Sequence, residues 1–133
     1  MICLDSTFII DYLKGDEKAK AAYEDHKTEG CCLTEINLYE VAEGIMSADA
    51  KNKQSKKMDK FLDFVSGFNI LPMMNLFAMD AARISALPLK TGKPIDDADC
   101  LIAGIMQANN VKKILTRNTK HFSRIKGVEA ISY

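Results

Sequence analysis

The sequence predicts an α/β domain built on a central, mainly parallel sheet. Two observations carry this. Short apolar runs at residues 1–4, 30–34, 68–71 and 114–116 alternate with longer segments whose apolar residues recur at helical spacing. The first of these runs is wholly apolar, as suits a strand buried on both faces. The chain's 133 residues fit one ordinary domain, 1–133, with no repeat, low-complexity tract or linker to divide it.

Residues 1–4 form the first strand and end at Asp5. Ser6 or Thr7 caps a helix carrying Phe8, Ile9, Tyr12 and Leu13, and Gly15 stops it. Residues 16–28 are charged and alanine-rich, an exposed helix. The run 30–34 is the second strand. Thr34 caps the next helix, with Asn37 at the capping-box position and Ile36, Tyr39, Ala42 or Glu43, and Met46 as its apolar stripe. Residues 49–57 read as a polar, lysine-rich break, after which Met58, Phe61, Leu62 and Val65 resume a helix.

Residues 68–71 make a third strand, closed by Pro72. Asn75 caps a helix through Met79, Ala82 and Leu87, which Pro88 disturbs before a loop at 89–94. Asp96 caps a helix lined by Leu101, Ile102, Ile105 and Met106. A fourth strand at 114–116, a short helix near 118–124 and an edge strand at 128–131 complete the chain.

Eighteen basic and eighteen acidic residues balance. Phosphate is therefore not recognised by overall charge, and a nucleic-acid substrate needs a local basic patch or a bound cation. Lys51, Lys53, Lys56 and Lys57 form one basic run. Lys112, Lys113, Arg117, Lys120, Arg124 and Lys126 form another, with His121 among them. Cys3, Cys31, Cys32 and Cys100 make no CxxC pair. They read as reduced, mostly core thiols rather than zinc ligands or disulfides. Early Asp5 and Asp11 argue against a signal peptide, and no apolar stretch is long enough to span a bilayer, so a cytoplasmic location is expected.

Three carboxylate positions carry the chemistry. Asp5 follows a buried strand, where open α/β sheets place their ligand crevice. A carboxylate there either caps the next helix or serves a site. Glu40 shares a helix face with Asn37, three residues before it. Asp96, Asp97 and Asp99 crowd one helical turn. Capping accounts for two of them. A third suits a shared hard cation such as Mg²⁺ or Mn²⁺, which takes oxygen ligands. Thr116 and Asn118 follow the fourth strand, where a hydroxyl and an amide either orient water or phosphate or serve a strand-to-helix turn.

In this order and spacing, Leu4 to Thr7, Thr34 to Glu40, Gly92 to Gly104 and Leu115 to Phe122 resemble the PIN-domain ribonucleases, specifically the VapC-type toxins of toxin–antitoxin pairs. The resemblance spans nearly the whole chain. It implies a three-layer α/β/α fold and a metal-dependent endoribonuclease acting on RNA. Asp5, Glu40 and Asp99 match the family's acids, and Asp96 resembles an extra acid that some members carry. Asp5, Asp99, Glu40 and Asp96 are then the expected metal ligands for Mg²⁺ or Mn²⁺. Asp5, Glu40, Asp99, Asn118 and Thr116 are the expected catalytic set, with Thr7, Asn37 and Arg117 against the substrate. A homodimer and a cognate antitoxin are implied as partners. Helices in the region 35–65 are the expected binding surface, because Met58, Phe61, Leu62, Phe64, Val65 and Phe68 exceed what one buried helix face needs.

One departure is plain. Many members carry a further aspartate after the fourth strand, where this chain has Asn118 and His121. That weakens the case for a second metal and favours an alternative, a PIN-like module that binds RNA or protein without cutting. Clustered negative charge argues the other way, since an RNA-binding surface gains nothing from it without a cation. A nucleotide-binding or phosphoryl-transfer domain is disfavoured by the lack of a glycine-rich phosphate loop. A haloacid-dehalogenase-type phosphatase is disfavoured by Thr7, where it needs a second aspartate.

Overall fold

Ile2, Cys3 and Leu4 are fully buried because β1 (Ile2–Leu4) runs at the centre of the sheet. The structure, a computed structural model, describes residues 1–48 and 51–133, with side chains described outside 49–52. After β1 come α1 (Ser6–Lys14), α2 (Glu17–His26), β2 (Cys31–Thr34), α3 (Glu35–Met46) and α4 (Lys51–Val65). The second half contains β3 (Asn69–Leu71), α5 (Asn75–Lys90), α6 (Asp97–Ala108), β4 (Lys113–Leu115), α7 (Thr119–Phe122) and β5 (Glu129–Ile131).

The five strands are all parallel, in the order β3-β2-β1-β4-β5. Helices cover both faces, giving three α/β/α layers. Side-chain alternation assigns the faces. Ile2, Leu4, Leu33 and Leu115 pack with Phe8, Ile9, Val41 and Phe61 from α1, α3 and α4. Cys3, Cys32 and Ile114 point the other way, against Ile102, Ile105 and Met106 of α6. All four cysteines are free thiols.

The chain reverses direction at β1. The first half builds outward from β1 through β2 to β3, and the second half returns to β4 on the other side. The carboxyl ends of β1 and β4 therefore flank the point where open α/β sheets form a ligand crevice. Asp5 and Thr116 stand at those two ends.

α6 approaches α5 closely because residue 104 is glycine. A Cβ there would lie 2.9 Å from the Ala81 nitrogen and 3.0 Å from the Phe77 carbonyl oxygen.

Four helical expectations need correction. Asp49 and Ala50 of the expected break lie outside the described residues, but from Lys51 onward the lysine-rich segment is already α4. Lysine and glutamine are good helix formers, and charge alone ends nothing. The stripe of α3 holds only in part: Ile36 and Ala42 pack against the core, but Tyr39 and Met46 are exposed, and the fully buried positions are Asn37 and Val41. In α5, Asn75 lies inside the helix behind Met74, Pro88 is accommodated in the last turn, and the helix continues to Lys90 through part of the expected loop. Its inward residues are Phe77, Ala81 and Ile84, while Met79 and Leu87 face outward.

The apolar excess between residues 58 and 68 is also mostly internal. Phe61 is buried, and Phe64 and Phe68 join Tyr12 and Tyr23 in an aromatic cluster with centroid spacings of 4.7 to 6.2 Å. Of that set only Leu62 is strongly exposed. Exposed apolar surface lies instead on α5, at Leu76, Met79, Leu87 and Leu89.

Candidate active site

Asp5 occupies the N-cap position of α1 but makes no capping hydrogen bond. Its Oδ2 instead accepts from Thr7 Oγ1 at 2.6 Å and from Thr116 Oγ1 at 2.7 Å. Of the two roles open to this aspartate, capping is the one it does not play. The backbone fixes this arrangement. Asp5 N donates to Leu115 O, and Thr116 N donates to Ile131 O, so the strand ends are clamped side by side. The turn after β4 is tied back by Asn118 N to Thr116 Oγ1 at 2.8 Å and Arg117 N to Thr7 Oγ1 at 3.2 Å.

Glu40 reaches the same crevice from α3. Its carboxylate accepts from Ser6 Oγ, and Ser6 Oγ accepts from Asn37 Nδ2 at 3.1 Å. Asn37 Oδ1 accepts from Thr34 N at 2.9 Å and Thr34 Oγ1 at 2.7 Å. The expected capping box forms in full, and its amide end continues as a relay to Glu40.

Asp99, in the first turn of α6, completes the set. Its Oδ2 accepts from Asn118 Nδ2 at 2.8 Å and lies 2.6 Å from His121 Nδ1. A carboxylate oxygen accepts only, so the ring nitrogen facing it carries the proton. Asp96 caps α6 through Ala98 N at 3.0 Å and is exposed, as is Asp97.

Burial holds the Glu40 carboxyl above its usual range, and the nearby charges of Asp5, Asp99 and Asp96 add to this while Ser6 opposes it. Burial likewise raises Asp99. Asp5 and Asp96 reinforce the shift, and the His121 hydrogen bond works against it. Carboxylates from three separate elements thus share one electrostatic neighbourhood, and Glu40 and Asp99 each resist ionising in it.

Each keeps one oxygen in reserve. Among the described residues, Asp5 Oδ1, Asp99 Oδ1 and Glu40 Oε1 have no hydrogen-bond partner. Among the described residues no side-chain oxygen or nitrogen closed off from solvent lacks a partner, so these three reach solvent. Asp5 is only 3% exposed and Asp99 only 7%, which aims the free oxygens into the crevice. As placed, no three acidic, histidine or cysteine side chains among the described residues stand close enough to chelate one ion. The donor set still fits a hard divalent cation, which takes one or two carboxylates and keeps several waters.

Several expected roles change. Asn37 is 0% exposed with its amide fully engaged, so it orients Ser6 and Glu40 and cannot touch a substrate. Thr7 and Thr116 spend their hydroxyl protons on Asp5, and Asn118 spends its amide on Asp99. All three hold carboxylates, where a phosphate or water contact was expected. Arg117 leans on Asp11, Nε to Oδ2 3.0 Å. Ser6 and His121 were not foreseen in the site. Their signal was spacing: Ser6 is the residue after Asp5, and His121 lies one helical turn beyond Asn118.

The sequence matches the family model for the PIN domain over residues 2–128. The chain belongs to the PIN-domain family. No curated protein matches it in sequence. Among solved structures, this PIN domain is similar to VapBC2 from Rickettsia felis bound to a DNA fragment from their promoter, at 21% identity and TM-score 0.83, covering 100% of this chain and 99% of that one. FitAcB from Neisseria gonorrhoeae gives 24% identity and TM-score 0.84 over 98% and 96%. A toxin–antitoxin complex from Klebsiella pneumoniae gives 26% identity and TM-score 0.68 over 97% and 96%. The PIN fold thus spans the chain's length. Among its described residues no helix is long and apolar enough to cross a membrane.

Proposed function

We propose that this PIN domain is a Mg²⁺- or Mn²⁺-dependent endoribonuclease and the toxin of a VapBC-type toxin–antitoxin pair. The observation that carries the reading is the convergence of Asp5, Glu40 and Asp99 on one crevice, each with one free, solvent-reaching oxygen. Membership of the PIN family and the likeness to toxin–antitoxin structures support it. RNA as the substrate follows from the family resemblance.

A divalent cation bound there would neutralise phosphate charge and lower the pKa of a bound water. Asp5 and Asp99 supply the principal ligand oxygens and Glu40 holds the ion or orients its water. Thr7 and Thr116 fix the Asp5 carboxylate, Asn118 and His121 fix that of Asp99, and Ser6 steers Glu40. Arg117, pinned through Nε, keeps its terminal amino groups for the phosphate backbone. Asp96 adds long-range negative charge and no ligand.

The antitoxin takes a groove of about 460 Å³ that lies away from the carboxylates. Ile10, Leu13, Val41 and Ile45 line it together with Lys14, Lys57 and Lys60. An amphipathic segment with acidic flanks complements it. The chain then acts as a cytoplasmic homodimer, with the exposed apolar face of α5 as a candidate contact.

The test is cleavage of a panel of structured RNAs by wild type and Asp99→Asn, with Mg²⁺, Mn²⁺ or EDTA. Cleavage by wild type alone, abolished by EDTA, is expected. Equal cleavage by Asp99→Asn sinks the assigned site. No cleavage by folded, antitoxin-free protein favours a non-cutting module.

A further inference from the structure

We infer that Asp11 and Tyr133 are positioning residues that hold the Arg117 guanidinium at the edge of the crevice, where its two terminal amino groups take a backbone phosphate of the bound RNA strand. The inference rests on the ribonuclease reading above and deepens it. Neither residue lies in the stretches that carry the family resemblance, and neither hydrogen-bonds to the three acids.

Arg117 follows Thr116 out of β4. Its backbone N donates to Thr7 Oγ1 at 3.2 Å, the hydroxyl that itself donates to Asp5. Its side chain then runs to Asp11, with Nε 3.0 Å from Oδ2. Asp11 lies four residues after Thr7 on α1, on the same face and about one turn, ~5.4 Å, further along. The guanidinium is thereby fixed beside the Asp5 clamp without touching it. The same Asp11 Oδ2 accepts from the Tyr133 hydroxyl at 2.8 Å. The Tyr133 ring is held edge-to-face on the fully buried Phe8, centroids 5.1 Å apart. Burial, and after it the Asp11 carboxylate, raises the Tyr133 hydroxyl above its usual range, so it remains a donor.

The Asp11 side chain is only 14% exposed, whereas that of Arg117 is 56% exposed. Among the described residues the terminal amino groups of Arg117 have no partner. A guanidinium held at Nε with both amino groups outward presents the fork that matches two phosphate oxygens. Because it is already ordered, it loses little side-chain freedom on binding. Other members of the basic run are engaged elsewhere. Lys113 pairs with Glu29 at the opposite end of β4, 2.8 Å, and Arg124 donates to the Lys93 carbonyl. A carboxylate beside a phosphate site is repulsive in itself, so Asp11 aids binding only through the geometry it imposes.

That opposition of signs supplies the test. Binding of a labelled, random-sequence single-stranded RNA pool is read by fluorescence anisotropy across a NaCl series, with Ca²⁺ as the cation and a gel to show the strands uncut. Wild type, Arg117→Gln, Asp11→Ala and Tyr133→Phe are compared, each shown folded by circular dichroism. Arg117→Gln should bind ~10-fold more weakly, the scale of a hydrogen bond to a charged group. It should also flatten the slope of log K against log salt by about 0.7, one phosphate on a single strand. Asp11→Ala and Tyr133→Phe should bind about 3-fold more weakly, since a rotamer-rich side chain must then be ordered on binding. The slope should stay in place, because the charge on Arg117 remains. The Arg117 Nε–H signal in ¹⁵N–¹H spectra should be sharp in wild type and lost in Asp11→Ala. Tighter or unchanged binding by both folded Asp11→Ala and Tyr133→Phe overturns the positioning role and leaves the ribonuclease reading intact. Wild-type affinity and slope in Arg117→Gln overturn the phosphate contact. Folded wild type that binds no RNA overturns the ribonuclease reading, and the inference with it.

Discussion

Thr116 and Asp5 are 111 residues apart in sequence, yet Thr116 Oγ1 donates to Asp5 Oδ2 at 2.7 Å in the buried floor of the crevice. The same hydroxyl accepts from Asn118 N. Thr116→Val keeps the shape and removes both bonds. The expected cost is about 1–3 kcal/mol, since a backbone N–H and a carboxylate oxygen each lose a partner. RNA cleavage should fall as well. Thr116→Ser should restore most of both, measured by urea denaturation and initial rates. A valine variant as stable and active as wild type removes the clamp from the account.

Asn37 links the start of α3 to Glu40. Asn37→Ala removes the acceptor of Thr34 N and the donor to Ser6. Loss of the cap and of buried hydrogen bonds together predicts about 2–4 kcal/mol of destabilisation. Under conditions where the variant is folded, metal affinity should drop by ~10–100-fold, the scale seen for groups that orient a ligand. Calorimetric titration with Mn²⁺ reads it. Unchanged affinity means the relay carries no orientation.

The pH dependence has a definite sign. Glu40 and Asp99 have folded-state values raised by burial first and by neighbouring carboxylates after it. A carboxyl raised in the folded state favours folding most below its unfolded value, and that contribution is lost as pH rises through the folded one. The metal-free protein should therefore lose stability from this pair as pH climbs out of the ordinary carboxylate range. Glu29, held down to about 2 by Lys113 and then His26, works in the opposite direction and only at acid pH. The melting temperatures of wild type and Glu40→Gln, followed against pH without metal, separate the two. The gap should move in favour of Glu40→Gln as pH rises, and saturating Mg²⁺ should reverse it. A pH-independent gap contradicts the shift.

Gly104→Ala tests the close approach of α6 to α5. The added methyl meets backbone atoms of Phe77 and Ala81, which cannot swing aside. Destabilisation of about 1–3 kcal/mol is expected by denaturant titration, despite alanine's better helix propensity. A neutral or stabilised variant shows that the helices separate freely.

The strands and the three acids were legible because they obey simple rules. Buried strands read as unbroken apolar runs, and Asp5 and Thr116 fall at strand ends. Faces of partly buried helices were harder. On α3 one of the two buried positions is a polar Asn37, while the outward positions include Tyr39 and Met46, so hydrophobicity misleads there. The onset of α4 was hidden because a lysine run carries helix propensity but no apolar period. His121 was noticed within the basic run and near the place of the family's further aspartate, but not as a partner of Asp99. Its contact with Asp99 joins two elements that no local pattern connects.

The parallel sheet has a further consequence for how the protein comes into being. β1 is made first and can take its partner β4 only after residues 113–115 exist. At ~5–20 residues per second of synthesis, that wait is roughly 5–20 s. Through that interval Asp5 lacks Thr116, and the crevice is incomplete. A chain stalled or truncated on the ribosome before β4 has no assembled crevice, whatever it carries in its first hundred residues. The crevice is assembled only once β4 has been made and paired with β1.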